Sequence, residues 1–375
     1  MLYNFVTNQW DNIDLTRLNR NITLGANEAL SGIVQTAFQT EPYPVFWAVR
    51  ADGQLIGLVF NRQDQVFAWF RINMTDELGY IESATRIPQG TSEEQISVAV
   101  RRTINGIDQR YFEYFMPHEI FNDLSNAFLV HSGQTLTELP AVAITAITQA
   151  SPCKVTAPNH GLTTGATVTI SGVLGMTQIN QDPTEAYTIT VFDANNITLN
   201  GIDSTGWTAY TSGGTVLPVT NTVTGLQYLQ GKTVTAVGDN ALVYTGVVPA
   251  SGAITLDWYA NVITVGLPYT STIRPTKTVV GSQTGTSRGM RQKLNRVTLS
   301  IYQGIGGKYG TDANHMYEIN YGSSAVGGDP SLFTGEVTKD MDGDWDDTTD
   351  FYITNDTPWP MTIRGMVFRM EVNPD

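Results

Sequence analysis

The residues best spaced for chemistry are Asp340, Asp342 and Asp344, which alternate along the acidic run Asp340–Asp350 like the first three ligands of a calcium loop. Such a loop also requires a glycine at its sixth position for the sharp turn and a bidentate glutamate at its twelfth. Those positions hold Trp345 and Phe351, so the run reads as a solvated acidic turn. His118, His131, His160 and His315 are scattered, with no paired spacing of the kind that holds zinc, and read as surface or packing residues. Cys153 is the only cysteine, which excludes an internal disulfide and cannot by itself make a zinc site. No nucleophile elbow, Walker loop or dinucleotide fingerprint occurs, and Gly304–Gly307 is only a glycine-rich turn. Arg288, Arg291, Lys293 and Arg296 form the one cationic cluster. A single-strand nucleic-acid patch would interleave aromatics there, so these residues are expected to flank a strand and bridge to a neighbouring acidic surface. With 35 acidic residues, carboxylate pairs are too common to single out a hydrolase pair without geometry. No catalytic residue, metal ligand or cofactor contact is expected.

The elements that would position any site are strands. Glycine (35) and tyrosine (16) are plentiful and threonine recurs, a composition of strands and turns. At 375 residues the chain can bury more than one core. Only 15% of residues are charged, yet the formal net charge is -14, because lysine and arginine are scarce. Such a surface attracts neither a phosphate backbone nor an anionic lipid. No apolar run approaches the roughly 18 to 20 residues of a membrane span. The start, Met1–Asn12, lacks the basic and apolar regions of a signal peptide, so secretion by that route is not expected.

The steadiest pattern lies between Val45 and Met116. Short strands are expected at Val45–Arg50, Leu55–Phe60, Val66–Ile72, Tyr80–Arg86, Gln95–Ile104 and Gln109–Phe115, with turns at Asp52-Gly53 and Asn105-Gly106 between them. In the first two strands both alternating residue sets are largely apolar, so both faces of that sheet should be covered. A helix is expected between Gly25 and Phe38. After Pro140 the composition shifts, and Ala141–Val216 reads as a separate small β module rich in Thr, Gly and Ile. Further strands follow at Lys232–Val237, Ala241–Thr245, Ala253–Leu256, Lys293–Tyr302, Phe351–Thr354 and Met361–Val372. The expected fold is mainly β and multi-domain, with antiparallel propeller-like or sandwich sheets, an inserted small β-barrel and few short helices. Its expected domains are 1–140, 141–217 and 218–375.

Pro44–Gly53, PVFWAVRADG, holds Trp47, Arg50, Asp52 and Gly53. Val66–Arg71, VFAWFR, holds Trp69, and Ile81-Glu82-Ser83 follows. Val100–Gly106 and Arg110–Glu113 contribute Arg102, Gly106, Arg110 and Glu113. Thr224–Val234 contributes Gly225, Leu226 and Gly231, and Leu332–Gly335 and Asp356–Ile363, with Pro358 and Pro360, close the series. Taken in this order the segments resemble the tail nozzle (tail tubular or hub) proteins of short-tailed bacteriophages, the final two resembling the last strands of that family. The order of the pieces carries the resemblance, which covers most of the chain outside Ala141–Val216. Inside that segment, Pro158–Leu162, Gly165 and Val168-Thr169-Ile170 resemble small β-barrel repeats of phage tail proteins, related to a half-domain of ubiquitin-activating enzymes. That similarity implies a fold and no ubiquitin chemistry, since Cys153 has no matching catalytic context.

The resemblance implies a virion structural protein of the phage tail: a homo-oligomeric ring, sixfold as a hexamer, with a central channel through which double-stranded DNA passes without specific binding. Its implied partners are tail adaptor and fibre or plug proteins. The signature residues are expected to fix core and sheet, and the acidic excess is expected to face the lumen. Members of that family carry considerably more chain before the equivalent of Tyr3, which points to a shortened form, a divided gene or a partial chain. The alternative expectation is a host-surface module in which 141–217 recognises glycan or a receptor, with aromatics and Asn/Asp turns serving as contacts. A wall-degrading hydrolase is the third, and it lacks a nucleophile, metal set or isolated acid pair.

Overall fold

The computed structural model describes residues 2–4, 8–11, 14–16, 20–25, 32–61, 66–72, 79–89, 93–117, 119–275, 281–282, 285–286, 290–312, 315–321, 331–341, 345 and 350–373. The fold is mainly β, built from antiparallel sheets with only short helical turns. Contacts divide the chain into two compact units, Met1–Ile120 and Phe121–Asp375.

The first unit begins with the short ladder of β1 (Leu2–Asn4) and β2 (Gln9–Asp11), then the single helical turn α1 (Arg20–Thr23). A four-stranded sheet follows in chain order, β3 (Ile33–Gln39), β4 (Val45–Arg50), β5 (Leu55–Asn61) and β6 (Val66–Arg71). The helix expected between Gly25 and Phe38 is therefore corrected over 33–38, where the chain pairs with β4 from Ile33↔Arg50 to Gln39↔Val45. Residues 26–31 lie outside the described residues. Alternation decides for the strand: Ala37 joins the core beside Trp47 while Val34, Thr36 and Phe38 stay exposed. The second sheet is β7 (Tyr80–Pro88), β8 (Glu94–Ile104) and β9 (Ile107–Tyr114), again antiparallel neighbours. Asn105 and Gly106 both take positive φ, +52° and +77°, the two-residue hairpin geometry that Asn-Gly reaches cheaply. The two sheets pack face to face: Val45, Trp47, Val49 and Leu55 of the first meet Ile81, Ala84, Ile96, Val98 and Val100 of the second. The other face of β4 and β5 is covered only in part, since Ala48 and Ile56 bury against Ile22 while Phe38 and Phe67 stay exposed.

The second unit opens with β10 (His131–Thr137), which pairs with a strand more than a hundred residues later. His131–Thr137 thus belongs with the later sheet and not with the N-terminal meander, where the expected domain 1–140 had placed it. Between them stands a module with its own core: β11 (Val142–Ala143), β12 (Ala146–Ile147), β13 (Lys154–Thr156), β14 (Thr167–Leu174), β15 (Tyr187–Asp193), β16 (Asn196–Leu199) and β17 (Ser212–Pro218). Their order is β11-β17-β14-β15-β16-β13-β12. In place of the expected barrel this is a curled sheet. Val142–Ala143 pairs with one end of the order and Ala146–Ile147 with the other, while β14 and β15 meet at only two register positions. Val155, Val168, Ile170, Ile189, Ile197 and Leu199 fill its inside, all fully buried.

After the module come β18 (Thr220–Val223), β19 (Thr233–Gly238), β20 (Leu242–Val247), β21 (Ile254–Ala260) and β22 (Val262–Leu267). β10, β22, β19 and β20 form one sheet, and β18 pairs with β21. The remaining strands are β23 (Ser271–Ile273), β24 (Gly281–Ser282), β25 (Gly285–Thr286), β26 (Arg291–Gly304), β27 (Lys308–Asp312), β28 (His315–Glu318), β29 (Phe333–Asp340), β30 (Tyr352–Asn355) and β31 (Thr362–Asn373). They give the sheets β23-β30-β27-β28 and β29-β26-β31, which share a core of Leu294, Val297, Leu299, Ile301, Phe351 and Ile353.

Candidate functional site

The signature hairpin of β4 and β5 is built around one buried ring and one buried guanidinium. Trp47 points between the two sheets of the first unit, stacked on Phe115 (centroids 5.7 Å, 24°) and edge-on to Phe70 (5.3 Å, 86°). Its indole N–H donates to Gln39 Oε1 at 2.9 Å, so the ring buries without stranding its polar atom. Arg50 is also buried, and its Nη1 donates to Ile22 O at 2.8 Å. Its other nitrogens grip both oxygens of Asp52, the bidentate geometry that suits a buried guanidinium. Burial alone would raise the Asp52 carboxyl, but hydrogen bonds from Arg50 and from the Gln54 N–H outweigh it and hold the group below its ordinary value. Gly53 follows with φ +80°, and a Cβ there would lie 2.3 Å from the Tyr80 ring, whose hydroxyl donates to Ala51 O. Trp69 on β6 is half-buried, and its N–H donates to Leu15 O at 3.0 Å.

On the second sheet, alternation sends Arg101 and Arg102 to opposite faces. Arg102 turns inward with Val100 and meets Glu113 through two bonds of 2.6 and 3.2 Å, with its guanidinium 5.6 Å from the Tyr111 ring. Arg101 turns outward, directly across the ladder from Arg110. Two cations in that position repel. Glu82 lies between them, accepting from Arg101 Nε at 3.1 Å and from Arg110 Nε at 2.7 Å. The Arg110 guanidinium is the main cause holding the Glu82 carboxyl below its ordinary value. Asp108 adds a second carboxylate to Arg101 at 2.8 Å and accepts from Thr103 Oγ1 at 2.6 Å. The arrangement is a closed lattice of alternating charge that fixes three strands in register. It presents no carboxylate at an acid's raised pKa and no nucleophile beside a base.

The later signature residues lie in the other unit. Gly225, φ +83°, opens the helical turn Leu226–Leu229, whose two leucines are fully buried, and Gly231, φ +76°, closes it. Pro358 and Pro360 flank Trp359 in the loop before β31. There Asn355 Nδ2 donates to Trp359 O at 2.6 Å, and Ile305 N–H donates to Pro360 O at 2.8 Å. The signature residues therefore fall in four places, where they serve packing, ion pairing or a turn.

The chemical candidates fare differently. Asp340 is the acceptor of Arg296 Nε at 2.6 Å, while Asp342 and Asp344 lie outside the described residues. Among the described residues no group of three His, Cys, Asp or Glu side chains is placed to hold a metal. Arg288 and His118 also lie outside the described residues. Arg291, Lys293 and Arg296 are part of β26 itself rather than flanking it. His160 is buried: its Nδ1 accepts from Leu162 N–H at 2.9 Å, so Nε2 carries the proton toward Asp193 O at 2.9 Å. His131 packs edge-on to Tyr269, and exposed His315 sits 2.7 Å from Asp312. Cys153 is fully buried, and that burial pushes its thiol above the ordinary value.

Sequence reasoning passed over Asn261. Its Nδ2 donates to Leu139 O and to Pro218 O, both at 2.8 Å, tying together the two chain segments that enter and leave the β11–β17 module. Asp239 in turn accepts from the backbone N–H groups of Asn261 and Val262. The only sequence signal was an Asn between two apolar strands, which any turn would show. Among the described residues no helix is long and apolar enough to cross a membrane.

In comparison with known proteins, residues 153–220 match the family model of the FCCH domain of the ubiquitin-activating enzyme E1. The match begins at Cys153 and spans β13 to β17 of the curled module, a minority of the chain. No curated protein matches the chain.

Proposed function

We propose that the chain is a subunit of a phage tail nozzle: a virion structural protein whose copies close into a ring around a channel for double-stranded DNA. The observation that supports this reading is the use made of the residues that carry the resemblance to nozzle proteins. Trp47, Arg50 with Asp52, Gly53, Arg102 with Glu113, and Gly225-Leu226 each fix a core, a turn or a ladder. A protein whose role is shape would share residues of that kind. The all-antiparallel architecture adds support, since it leaves several strands at sheet edges where copies can join. The net charge of -14 suits a conduit, because carboxylates facing DNA repel phosphate where a basic lumen would hold it.

On this reading the module 142–218 is an insertion carried on the ring, and its likeness to an FCCH domain concerns the fold of that segment. Its cysteine is no thioester nucleophile, being buried with a raised pKa. Electron microscopy of the purified full chain, paired with native mass measurement, tests the proposal. A closed ring with an axial pore is the expected result. A monodisperse monomer over the micromolar range, or a solid particle without a pore, overturns it.

A further inference from the structure

The sheet β29-β26-β31 ends in two edges that complement each other. β29 and β31 each pair with the central β26 and, among the described residues, with no other strand. Alternate residues along each edge turn N–H and C=O groups away from β26, an open template for a further strand. Natural sheets blunt such edges or pair them.

The side chains on the exposed face show what would pair. Asp340, Arg296 and Arg369 lie in one cross-strand row, and Glu336, Ser300 and Gly365 in another. Arg296 and Arg369 stand directly opposite, where like charges repel. Arg296 is relieved by Asp340 at 2.6 Å, but among the described residues exposed Arg369 has no ion pair or hydrogen-bond partner for its side chain. Arg364, next to Gly365, lies 4.0 Å from the centroid of the Tyr302 ring and has no carboxylate among the described residues. Glu336 on the other edge has no cation among them, and the Asp340 side chain is 78% exposed despite its one bridge. Unsatisfied cations on one edge and available carboxylates on the other, at matching levels, fit a copy of the same sheet.

We infer that β31 of one copy pairs with β29 of the next, so that Arg369 meets the neighbouring copy's Asp340 and Arg364 meets its Glu336. Both strands run antiparallel to β26 and so parallel to each other. A rotation about an axis along the strands therefore brings them together in the same direction, a head-to-tail contact that closes into a ring. Spacing favours the junction. Within one copy β29 and β31 are two strand spacings apart, roughly 10 Å, whereas across the junction they are one spacing apart, roughly 5 Å.

This inference rests on the ring reading above, and charge reversal in the full chain separates the two. Arg364→Glu gives up the contact with the Tyr302 ring and Glu336→Arg breaks no ion pair among the described residues, so each variant should melt within a few degrees of the wild type. By sedimentation or mass photometry, each alone should weaken self-association by roughly tenfold or more, since each places like charges at every junction. Mixed in equal amounts, the two variants should assemble again, because alternating copies restore opposite charges at both kinds of junction. Wild-type assembly that neither variant weakens overturns the edge pairing and leaves the ring reading standing. Loss of assembly without rescue on mixing overturns the assigned charge pairs. A wild-type chain that stays monomeric defeats both readings.

Discussion

A thiol reacts as its thiolate, so burial that disfavours the anion and blocks access removes the chemistry of Cys153 twice over. Its sulfur faces the Thr148 carbonyl inside the curled module, with the thiol pushed up by burial. Iodoacetamide at neutral pH should therefore leave the native chain unmodified, and label it once in denaturant. Fast native labelling would show that the module opens. Trp47 carries a different load, with its ring between Phe70 and Phe115 and its N–H on Gln39. Trp47→Ala should cost about 3 to 5 kcal/mol in urea unfolding of the first unit, from lost burial and the cavity left behind. A loss below about 1 kcal/mol would mean that the ring contributes little to the core. Asp52 gives the first unit a pH dependence of known sign. Its folded pKa lies below the ordinary 3.8, so its contribution is complete above that value and is lost as pH falls through the depressed folded value. Urea midpoints measured from pH 7 down to 2.5 should decline at the acid end, and Asp52→Asn should make that decline shallower.

An edge, a turn or a linker is held by a few bonds whose partners are far apart in sequence, and Asn261 is the clearest case. One amide ties Leu139 and Pro218, so Asn261→Ala gives up two hydrogen bonds at the root of the module, about 1 to 2 kcal/mol in all. Limited proteolysis should then cut between Glu138 and Ala141 faster than in the wild type, while the core of the module itself stays resistant. Unchanged cutting would show that the linkers are held elsewhere. The same distinction explains what the sequence disclosed. The strand Val45–Arg50 has the boundaries expected from its apolar run, and the Asn105-Gly106 hairpin follows from turn chemistry. Such signals are local. Ile33–Gln39 misled because its apolar residues sit at spacings that also fit a helical face, and only pairing with β4 decides between the two. β10 and β17 went unseen because His131–Thr137 and Ser212–Pro218 are polar or glycine-rich, and partners distant in sequence recruit them into sheets. Of the arginine lattice, Arg102, Arg110 and Glu113 were visible as signature residues. The role of Glu82 between Arg101 and Arg110 depends on a register shift in the ladder between Ile81 and Ser83, which no spacing rule reveals.

At the scale of the molecule the governing quantity is charge. Binding to duplex DNA without sequence preference comes from cations that displace condensed counterions, so affinity falls as salt rises. This chain has a net charge of -14, and the arginines of its first unit that form ion pairs are matched to carboxylates there. Fluorescence anisotropy of a labelled duplex should therefore stay flat with added protein at 0.15 M salt, where screening confines each charge to roughly 8 Å. Lowering the salt separates two explanations of a flat titration. A weak basic site would begin to bind as the salt falls, because counterion release grows more favourable. An acidic lumen would exclude DNA more strongly, because repulsion is then screened less. Continued absence of binding at 0.02 M salt is the outcome expected of a conduit through which DNA slides. Binding that appears there and vanishes at 0.15 M would place basic residues where DNA can reach them and refute the acidic lumen.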